Sequence, residues 1–393
     1  MYYNTLERVK SMKIKKWHLF AVIITLFCVS FFVINLKFDK FYRLNGINND
    51  NRVIIEEYLD EKEQVYLVEN QIDIDQFIRF IKYDDFHLEN YQYYNLLDKY
   101  TDYSHTKIIS VGNNLVARLE FLFNTNAYSH AEQLVKNSLE QAFLHDENFD
   151  FQYINIYKNL KDIYGKNDYS YIDDTIIYIN KLKLYGITEQ KDIEDKFEQL
   201  SKSYNQSSLK VLMSKPYDAN VGIVYNPYEF TTIVNDYTYI GEYSPRELIL
   251  TQDIPRVKYS MYLQKDAYSA LIKMYQALNE KYDRFLLVDA YTSPEALKKD
   301  NKKVGYCEEQ LGLTICVSQR ELAYKQFDET EMSKWLQQHA HEYGFVLRYP
   351  KRKASVTNHS YDAHMYRYVG KSLAKTLYES QLTLEEYTEQ KKL

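Results

Sequence analysis

The amino-acid sequence predicts a C-terminal α+β domain, preceded by a mostly α-helical region and by one apolar helix near the N-terminus. Three observations support this prediction. A twenty-residue apolar run stands close to the start of the chain, and apolar residues then recur at helical spacing between residues 53 and 205. After residue 205, strand-like runs alternate with helical ones, and all 6 prolines lie in this last part.

Composition excludes several classes of protein. The 393-residue chain has a formal net charge of −6, which gives no reason to expect a nucleic-acid partner. It contains 10 glycines, whereas average usage would give about 28. Turn-dense all-β folds and glycine-rich phosphate loops are therefore disfavoured, and neither GxxxxGK[ST] nor GxGxxG occurs.

The apolar run comprises residues 17–36, WHLFAVIITLFCVSFFVINL, and contains no Asp, Glu, Lys or Arg. At 1.5 Å per residue a helix of this length spans about 30 Å, the thickness of one bilayer core. Basic residues crowd the segment before the run. The positive-inside rule therefore predicts a cytoplasmic tail at 1–16 and an extracellular region at 37–393.

Two other interpretations of the apolar run are a cleaved signal peptide and a lipoprotein. The run is longer than a usual signal-peptide core, and no A-x-A cleavage site follows it. Phe27 precedes Cys28, at a position where a lipoprotein would have a small residue. These features favour an uncleaved signal anchor.

Residues 37–52 are predicted to form a polar juxtamembrane stalk, and residues 53–205 a helical, tyrosine-rich region. The 41 tyrosines of the chain admit two interpretations: an aromatic face that stacks on a ligand, or packing on helix faces with the hydroxyl at the surface. Helical spacing already explains the pattern and favours packing. Four segments show this spacing: Ile74–Ile81, Asn90–Tyr100, Ala131–Phe143 and Asp192–Ser203.

A change of composition near residue 205 marks the start of the α+β domain, which is predicted to cover residues 206–385. Residues 201–210 are polar and serine-rich and are predicted to be a linker. Five runs are predicted strands: Val221–Tyr225, Phe230–Val234, Phe285–Asp289, Leu313–Val317 and Phe345–Tyr349. Two runs are predicted helices: Lys265–Lys281 and Glu331–Glu342.

Five segments of this domain carry motifs of a known family: IVNDYTYIGEYSPRELI (233–249), FLLVDAYTS (285–293), CEEQLGLTICVS (307–318), WLQQHAHEYGFVLRYP (335–350) and YDAHMYRYVG (361–370). Together they resemble the VanY-type D-alanyl-D-alanine carboxypeptidases, zinc peptidases of the M15 class, over roughly residues 210–378. The resemblance implies a central antiparallel sheet flanked by helices. In active members it also implies a zinc held by two His and one Asp, a general-base Glu, and an Arg that steadies the substrate.

The departures from the family pattern lie at the positions of its chemistry. By the resemblance, the three zinc-ligand positions fall on Glu309, Cys316 and Met365. The general-base position falls on Asp362, which is one methylene shorter than Glu, and the arginine position falls on Thr292. A neutral thioether is a poor zinc ligand, so we expect no metal. Six residues are predicted to form the binding groove: Tyr291, Gln310, Gly312, Arg348, Tyr349 and Arg367.

Two questions about side chains stay open at this stage. A rebuilt zinc site of Glu309, Cys316 and His364 is one alternative to a chain without metal. Because side chains alternate along a strand, His364 is expected to face away from the site unless a bulge intervenes. Cys307 and Cys316 form either one disulfide or two free thiols.

Three functions are compatible with the sequence. The favoured one is a membrane-anchored, cell-surface pseudo-peptidase that binds peptidoglycan stem peptide or another cell-wall partner without cleaving it. The first alternative is an active metallo-carboxypeptidase or endopeptidase with an atypical zinc site. The second is a structural or assembly module whose working part is the helical region. The predicted membrane contact is through residues 17–36.

Overall fold

The computed structural model of the protein describes residues 16–38, 41, 44–123, 125–165 and 167–391. The chain divides into two compact units, Met1–Glu147 and Asn148–Leu393. The sequence predicts a different boundary, at 205/206, between the helical region and the α+β domain. That boundary stays a prediction. The predicted cytoplasmic tail lies outside the described residues, apart from Lys16.

The apolar run forms the first helix, α1 (Lys16–Phe38). Among the described residues it is the one helix long and apolar enough to cross a membrane, a criterion of length and composition that a signal sequence also meets. Its side chains are exposed from Lys16 to Val33. Exposure of apolar side chains over this length is what a lipid-facing helix requires.

The other secondary-structure elements in the described part of the first unit are also helical. The α-helices among them are α2 (Asn49–Tyr58), α3 (Glu61–Glu69), α4 (Ile74–Phe77), α5 (Tyr91–Tyr100), α6 (His105–Phe123), α7 (Ala127–Lys136) and α8 (Glu140–His145). The predicted helix Ala131–Phe143 is broken at Ser138, whose φ of 53° ends α7. Tyr91 and Tyr94 are buried against Phe80, with ring centroids 6.2 and 6.0 Å away, so these tyrosines pack in the core.

The second unit begins with four helices, α9 (Ile154–Tyr164), α10 (Tyr171–Leu184), α11 (Gln190–Ser203) and α12 (Gln206–Ser214). The predicted linker at 201–210 is therefore wrong. The Asn205 Oδ1 atom accepts the backbone N–H of Ser208 at 2.9 Å, and the Ser208 Oγ atom accepts that of Asn205 at 3.1 Å. This reciprocal cap starts α12, so the polar residues of the segment are helix caps.

Eight strands follow: β1 (Gly222–Ile223), β2 (Thr238–Tyr239), β3 (Leu248–Leu250), β4 (Tyr262–Gln264), β5 (Phe285–Asp289), β6 (Thr314–Gln319), β7 (Phe345–Tyr349) and β8 (Asp362–Tyr368), all within the described residues. The last four form one sheet in the order β5–β6–β8–β7, and every pairing in it is antiparallel. Strands β1–β2 and β3–β4 form two small separate sheets. The antiparallel sheet of the α+β domain is confirmed.

The predicted strand Phe230–Val234 is wrong, because a side chain occupies its backbone carbonyls. Thr232 donates its backbone N–H to the Glu229 carbonyl at 3.0 Å, in a turn. The carbonyls of Phe230 and Thr232 both accept from the Arg367 guanidinium, at 3.3 and 3.0 Å. Backbone groups satisfied in this way are not available to a neighbouring strand.

Helices flank the central sheet. They are α13 (Lys265–Asn279), α14 (Pro294–Lys299), α15 (Glu331–His339), α16 (Ala354–Thr357), α17 (Lys371–Ser380) and α18 (Leu384–Gln390). The two predicted helices correspond to α13 and α15, although α15 ends early and a 3-10 turn, Ala340–Tyr343, follows it. Gly344 then adopts a φ of 93°, and a Cβ there would lie 2.8 Å from the Tyr368 ring, so the turn into β7 requires glycine.

Candidate functional site

Strands β6 and β8 bring several positions of the family's chemistry onto one face of the sheet. Cys316 on β6 is the register partner of Met365 on β8, and on its other side it faces Asp289 of β5. Two residues from the Cys316–Met365 pair, Thr314 on β6 is the register partner of Arg367 on β8. Because side chains alternate along a strand, both β6–β8 pairs project from the same face. One end of this face meets a cavity, and the other is filled by buried charges.

A cavity of about 280 Å³ lies at the Met365 end of the face. Glu309, Asp362 and Met365 line it, so three of the five chemical positions taken from the resemblance meet in one place. Cys316 is buried, with 6% of its surface exposed. Thr292 reaches the site through its backbone, since its N–H donates to the Glu309 carbonyl at 3.3 Å.

Glu309 projects from a short 3-10 helix, Glu308–Leu311, that immediately precedes β6. Burial raises the pKa of the Glu309 carboxyl, and the neighbouring carboxylates of Glu308 and Asp289 raise it further. A hydrogen bond from its own backbone N–H and the charge of Lys302 act in the opposite direction without outweighing them. Within the described ranges no ion pair engages Glu309 or Asp362. The cavity therefore has carboxylates in its wall that lack a cationic partner.

Cys316 carries a neutral thiol at physiological pH. Burial raises the pKa of this thiol to about 11; the Tyr324 hydroxyl, 3.5 Å from Sγ, lowers it, whereas the carboxylates of Asp362, Asp289 and Glu309 raise it. A disulfide with Cys307 is not formed, since both cysteines are free.

His364 faces away from the cavity, as strand alternation predicts. Its ring is stacked on Tyr324 with the centroids 3.5 Å apart, and its Nδ1 and Nε2 atoms lie 2.7 and 3.0 Å from the carbonyls of Val317 and Tyr324. Both ring nitrogens are thus used by the protein interior. His364 is not available to a rebuilt metal site with Glu309 and Cys316.

The other end of the sheet face holds four charged side chains, which we call the ion network: Glu308, Arg348, Arg367 and Glu385. Glu308 is 3% exposed and accepts from Arg348 Nε at 2.6 Å and from Arg367 Nη1 at 2.9 Å. The second carboxylate, Glu385 of α18, accepts two hydrogen bonds from Arg348, at 3.1 and 2.7 Å. Two carboxylates and two guanidiniums make the network neutral.

Electrostatics agree with a fully ionised network. Burial alone raises the pKa of Glu308, but the guanidiniums of Arg348 and Arg367 outweigh this effect and hold the pKa below its ordinary value. The two arginines were expected in the binding groove, and the structure places their side chains in the interior. Sequence reasoning missed Glu308. A buried arginine needs an acidic side chain as its partner, but the spacing of residues in the sequence does not indicate which acid this is.

Gln310 and Gly312, also expected in the groove, hold loops together. Gln310 is fully buried; its side-chain oxygen accepts the Gly305 backbone N–H at 2.6 Å, and its nitrogen donates to the Gly241 carbonyl at 3.2 Å. Gly312 has a φ of 65°, in the left-handed region that favours glycine. Neither residue lines the cavity.

Of the six groove positions, Tyr349 alone lines the cavity among the described residues. Its ring is stacked on that of His359, with the centroids 3.9 Å apart. Tyr291 lies elsewhere and donates its hydroxyl to Ser244 Oγ at 2.9 Å. The six predicted positions therefore do not form one groove: Tyr349 lines the cavity, Tyr291 lies outside it, and the other four are buried.

The residues at the cavity do not fit a catalytic zinc. Such a site needs three anionic or imidazole ligands and one open position. Met365 offers a neutral thioether and Cys316 a buried neutral thiol, which leaves Glu309 as the one ordinary zinc ligand of the three. In the part of the chain that the structure describes, no three His, Cys, Asp or Glu side chains are grouped to hold a metal ion.

Comparison with known proteins places these observations in a family. Residues 289–371 match the family model described as VanY, D-alanyl-D-alanine carboxypeptidase. Over 236 residues the chain is 32% identical to YodJ of Bacillus subtilis (strain 168), which is named as a carboxypeptidase; the match covers 52% of this chain and 85% of YodJ.

Solved structures also resemble the chain. LdcB, an LD-carboxypeptidase described in terms of peptidoglycan recognition, is 30% identical with a TM-score of 0.39, and the match covers 44% of this chain and 92% of LdcB. A VanY mutant in complex with Zn(II) is 22% identical with a TM-score of 0.34, and the match covers 41% of this chain and 99% of VanY. The chain belongs to the VanY D-alanyl-D-alanine carboxypeptidase family, by its C-terminal α+β domain.

Proposed function

We propose that the protein is a membrane-anchored, cell-surface pseudo-peptidase that binds a peptidoglycan stem peptide, or another cell-wall component, without cleaving it. One observation carries the proposal: three of the family's five chemical positions line the cavity, but with side chains that do not fit a catalytic zinc. Without the metal, neither the activated water nor the polarised carbonyl of a zinc peptidase is available. Binding is the part of the family's function that such a cavity retains.

The family description supports the class of ligand. The family acts on peptides that end in D-alanyl-D-alanine, and this chain keeps the sheet and an open cavity beside it. Tyr349 and Asn235 contribute an aromatic ring and an amide to the wall, groups that pack against and hydrogen-bond a peptide.

The decisive experiment measures metal, hydrolysis and binding on one preparation of the full chain in detergent. We expect substoichiometric zinc, no release of D-alanine from a synthetic stem pentapeptide, and saturable binding of that peptide by titration calorimetry. Zinc near one per chain together with chelator-sensitive release of D-alanine would identify an active metallo-carboxypeptidase instead. No peptide binding and no hydrolysis would favour a structural or assembly module.

The anchoring part of the proposal concerns α1. Its length and exposed apolar surface support a single-pass helix, and the basic residues before it support a cytoplasmic N-terminus. A reporter fused after Leu393 is expected outside the cell, and protease added to intact cells should degrade the region from residue 37 onward. Full protection of this region would contradict the orientation.

A further inference from the structure

The wall of the 280 Å³ cavity is acidic. Among the described residues that line it none is Lys or Arg, and four are acids: Asp236, Glu308, Glu309 and Asp362. Two of these are already neutralised. Glu308 belongs to the ion network, and the Asp236 carboxylate lies 3.2 Å from the ammonium of Lys303.

The other two acids, Glu309 and Asp362, have no cationic partner in the described part of the chain. A third carboxylate, that of Asp289, stands close enough to act on Glu309. The cation that acts in the opposite direction is the exposed Lys302. Carboxylates therefore outnumber cations at the cavity, an arrangement that disfavours a peptide carboxylate and favours a positive group.

Aromatic rings line the same cavity. Tyr306, Tyr349 and His359 are in the wall, next to the thioether of Met365. The Tyr349 ring already contacts the His359 ring and the Arg348 guanidinium, 3.9 and 4.9 Å from its centroid, so Tyr306 and His359 are the rings considered for a ligand. The faces of aromatic rings attract organic cations, and an ammonium group offers three N–H donors to carboxylate oxygens. Carboxylates and aromatic rings in one wall form the combination that recognises an amine.

A metal ion is a poorer match to this wall than an amine. A divalent cation needs several oxygen, nitrogen or sulfur ligands around one point. The described residues hold no group of three His, Cys, Asp or Glu side chains that meets this need. An ammonium group is satisfied by fewer and more widely spaced acceptors.

We infer that the cavity binds the primary ammonium group of a peptide side chain, with Glu309 and Asp362 as its counter-charges. The inference rests on the proposed function and refines it, because it makes the amine of the peptide, and not its C-terminal carboxylate, the group that enters the cavity. The chemical class of ligand is a peptide that contains a diamino acid with a free amine.

The test uses the full chain in detergent and three probes. The first is an N-acetylated pentapeptide that ends in D-alanyl-D-alanine and has a free lysine side chain; the second is the same peptide with that lysine acetylated; the third is Nα-acetyl-lysine amide. Binding is measured by titration calorimetry or ligand-observed NMR. The variants are Glu309→Gln and Asp362→Asn, and the control is Glu280→Gln, an exposed acid at the end of α13.

We expect acetylation of the lysine to weaken binding by at least about tenfold, the scale of a desolvated charge contact. Each cavity variant should weaken binding of the free-amine probes to a similar degree and leave the acetylated peptide unchanged. The control should leave all three probes unchanged. Added salt should weaken the free-amine probes alone.

Each other outcome overturns a different statement. Equal affinity for both peptides, unchanged in the cavity variants, refutes the ammonium site and leaves the proposed function intact. Binding of Nα-acetyl-lysine amide that depends on Glu309 and Asp362, without binding of either pentapeptide, supports the ammonium site and refutes the proposed function. If none of the probes binds, both are refuted. Stoichiometric zinc or calcium that is lost in Glu309→Gln assigns the cavity to a metal and refutes the ammonium site.

Discussion

The ion network and the cavity lie next to each other on one sheet face and share Glu308, but they differ in what holds their other residues in place. Glu308 and Glu309 are consecutive in the chain, yet the first contacts two guanidiniums and the second has no ion pair among the described residues. Exchanging one member of a buried network leaves an uncompensated charge, whereas a cavity side chain can change by itself. Arg348 and Arg367 of the network match the family pattern, and so does Tyr349 in the cavity wall, whereas Glu309, Asp362 and Met365 depart from it.

Restoring the family's chemical residues should have the largest effect, since it reverses the difference at the cavity end. The five-fold variant has Glu309→His, Cys316→Asp, Met365→His, Asp362→Glu and Thr292→Arg. It provides three zinc ligands and an open position, so we expect close to one zinc per chain by elemental analysis. The control is the four-fold variant that keeps Met365, which should bind zinc much more weakly. A folded five-fold variant without zinc would show that the backbone no longer holds the ligand positions together.

Glu308→Gln should destabilise the protein strongly. It leaves the guanidinium of Arg367, which is fully buried, without a carboxylate. Breaking a buried ion pair in this way costs about 3–5 kcal/mol of unfolding free energy. The matched control is the neighbouring Glu309→Gln, which removes no ion pair and should cost less than about 1 kcal/mol. Urea unfolding followed by near-UV circular dichroism measures both, and equal losses would contradict the distinction between the two ends.

Alkylation of Cys316 should titrate at unusually high pH. In a Cys28→Ser, Cys307→Ser background, the rate of reaction with iodoacetamide is expected to rise with a midpoint near the thiol pKa of about 11. At pH 8 the thiolate fraction should be lower than that of a thiol of pKa 9 by about a hundredfold, because burial favours the neutral form. The same protein in denaturant provides the control. A midpoint below 9 in the folded protein would show that the thiol is ionised and able to act as a metal ligand.

Lys353→Ala should have the smallest effect. The ammonium of Lys353 contacts Glu386 of α18 at 2.8 Å, but 29% and 25% of the two side chains is exposed. Exposed pairs of this kind contribute about 0.2–1 kcal/mol, and salt screens them. The melting temperature should therefore shift little, and the shift should vanish in high salt. A loss comparable to that of Glu308→Gln would mean that α18 depends on both of its contacts to the sheet domain.

Much of the fold can be predicted from the sequence, because many helices and strands are determined by local patterns of apolar residues. The apolar run predicts α1, and the runs at Phe285–Asp289 and Phe345–Tyr349 coincide with β5 and β7. Predictions failed where a distant side chain decides the backbone. Phe230–Val234 has the composition of a strand. Arg367, more than a hundred residues later, donates hydrogen bonds to two of its backbone carbonyls.

The candidate site could be predicted in part. Motif positions indicated Glu309, Asp362 and Met365, which the structure brings together at one cavity. They did not distinguish residues that line the cavity from residues that are buried. Arg348 and Arg367 stand in the same motifs, but their side chains are buried. Nothing in the spacing selects Glu308 among 55 acidic residues, because its role depends on strand register and on α18.

The different contacts of the two regions have a practical consequence for protein engineering. Randomising positions 309, 362 and 365 in a display library would leave the four charges of the ion network and the buried Cys316 unchanged. Members of such a library would keep the ion pairs on which folding depends, so selection would act mainly on what the cavity recognises. The domain is in this respect a starting point for designed ligand recognition.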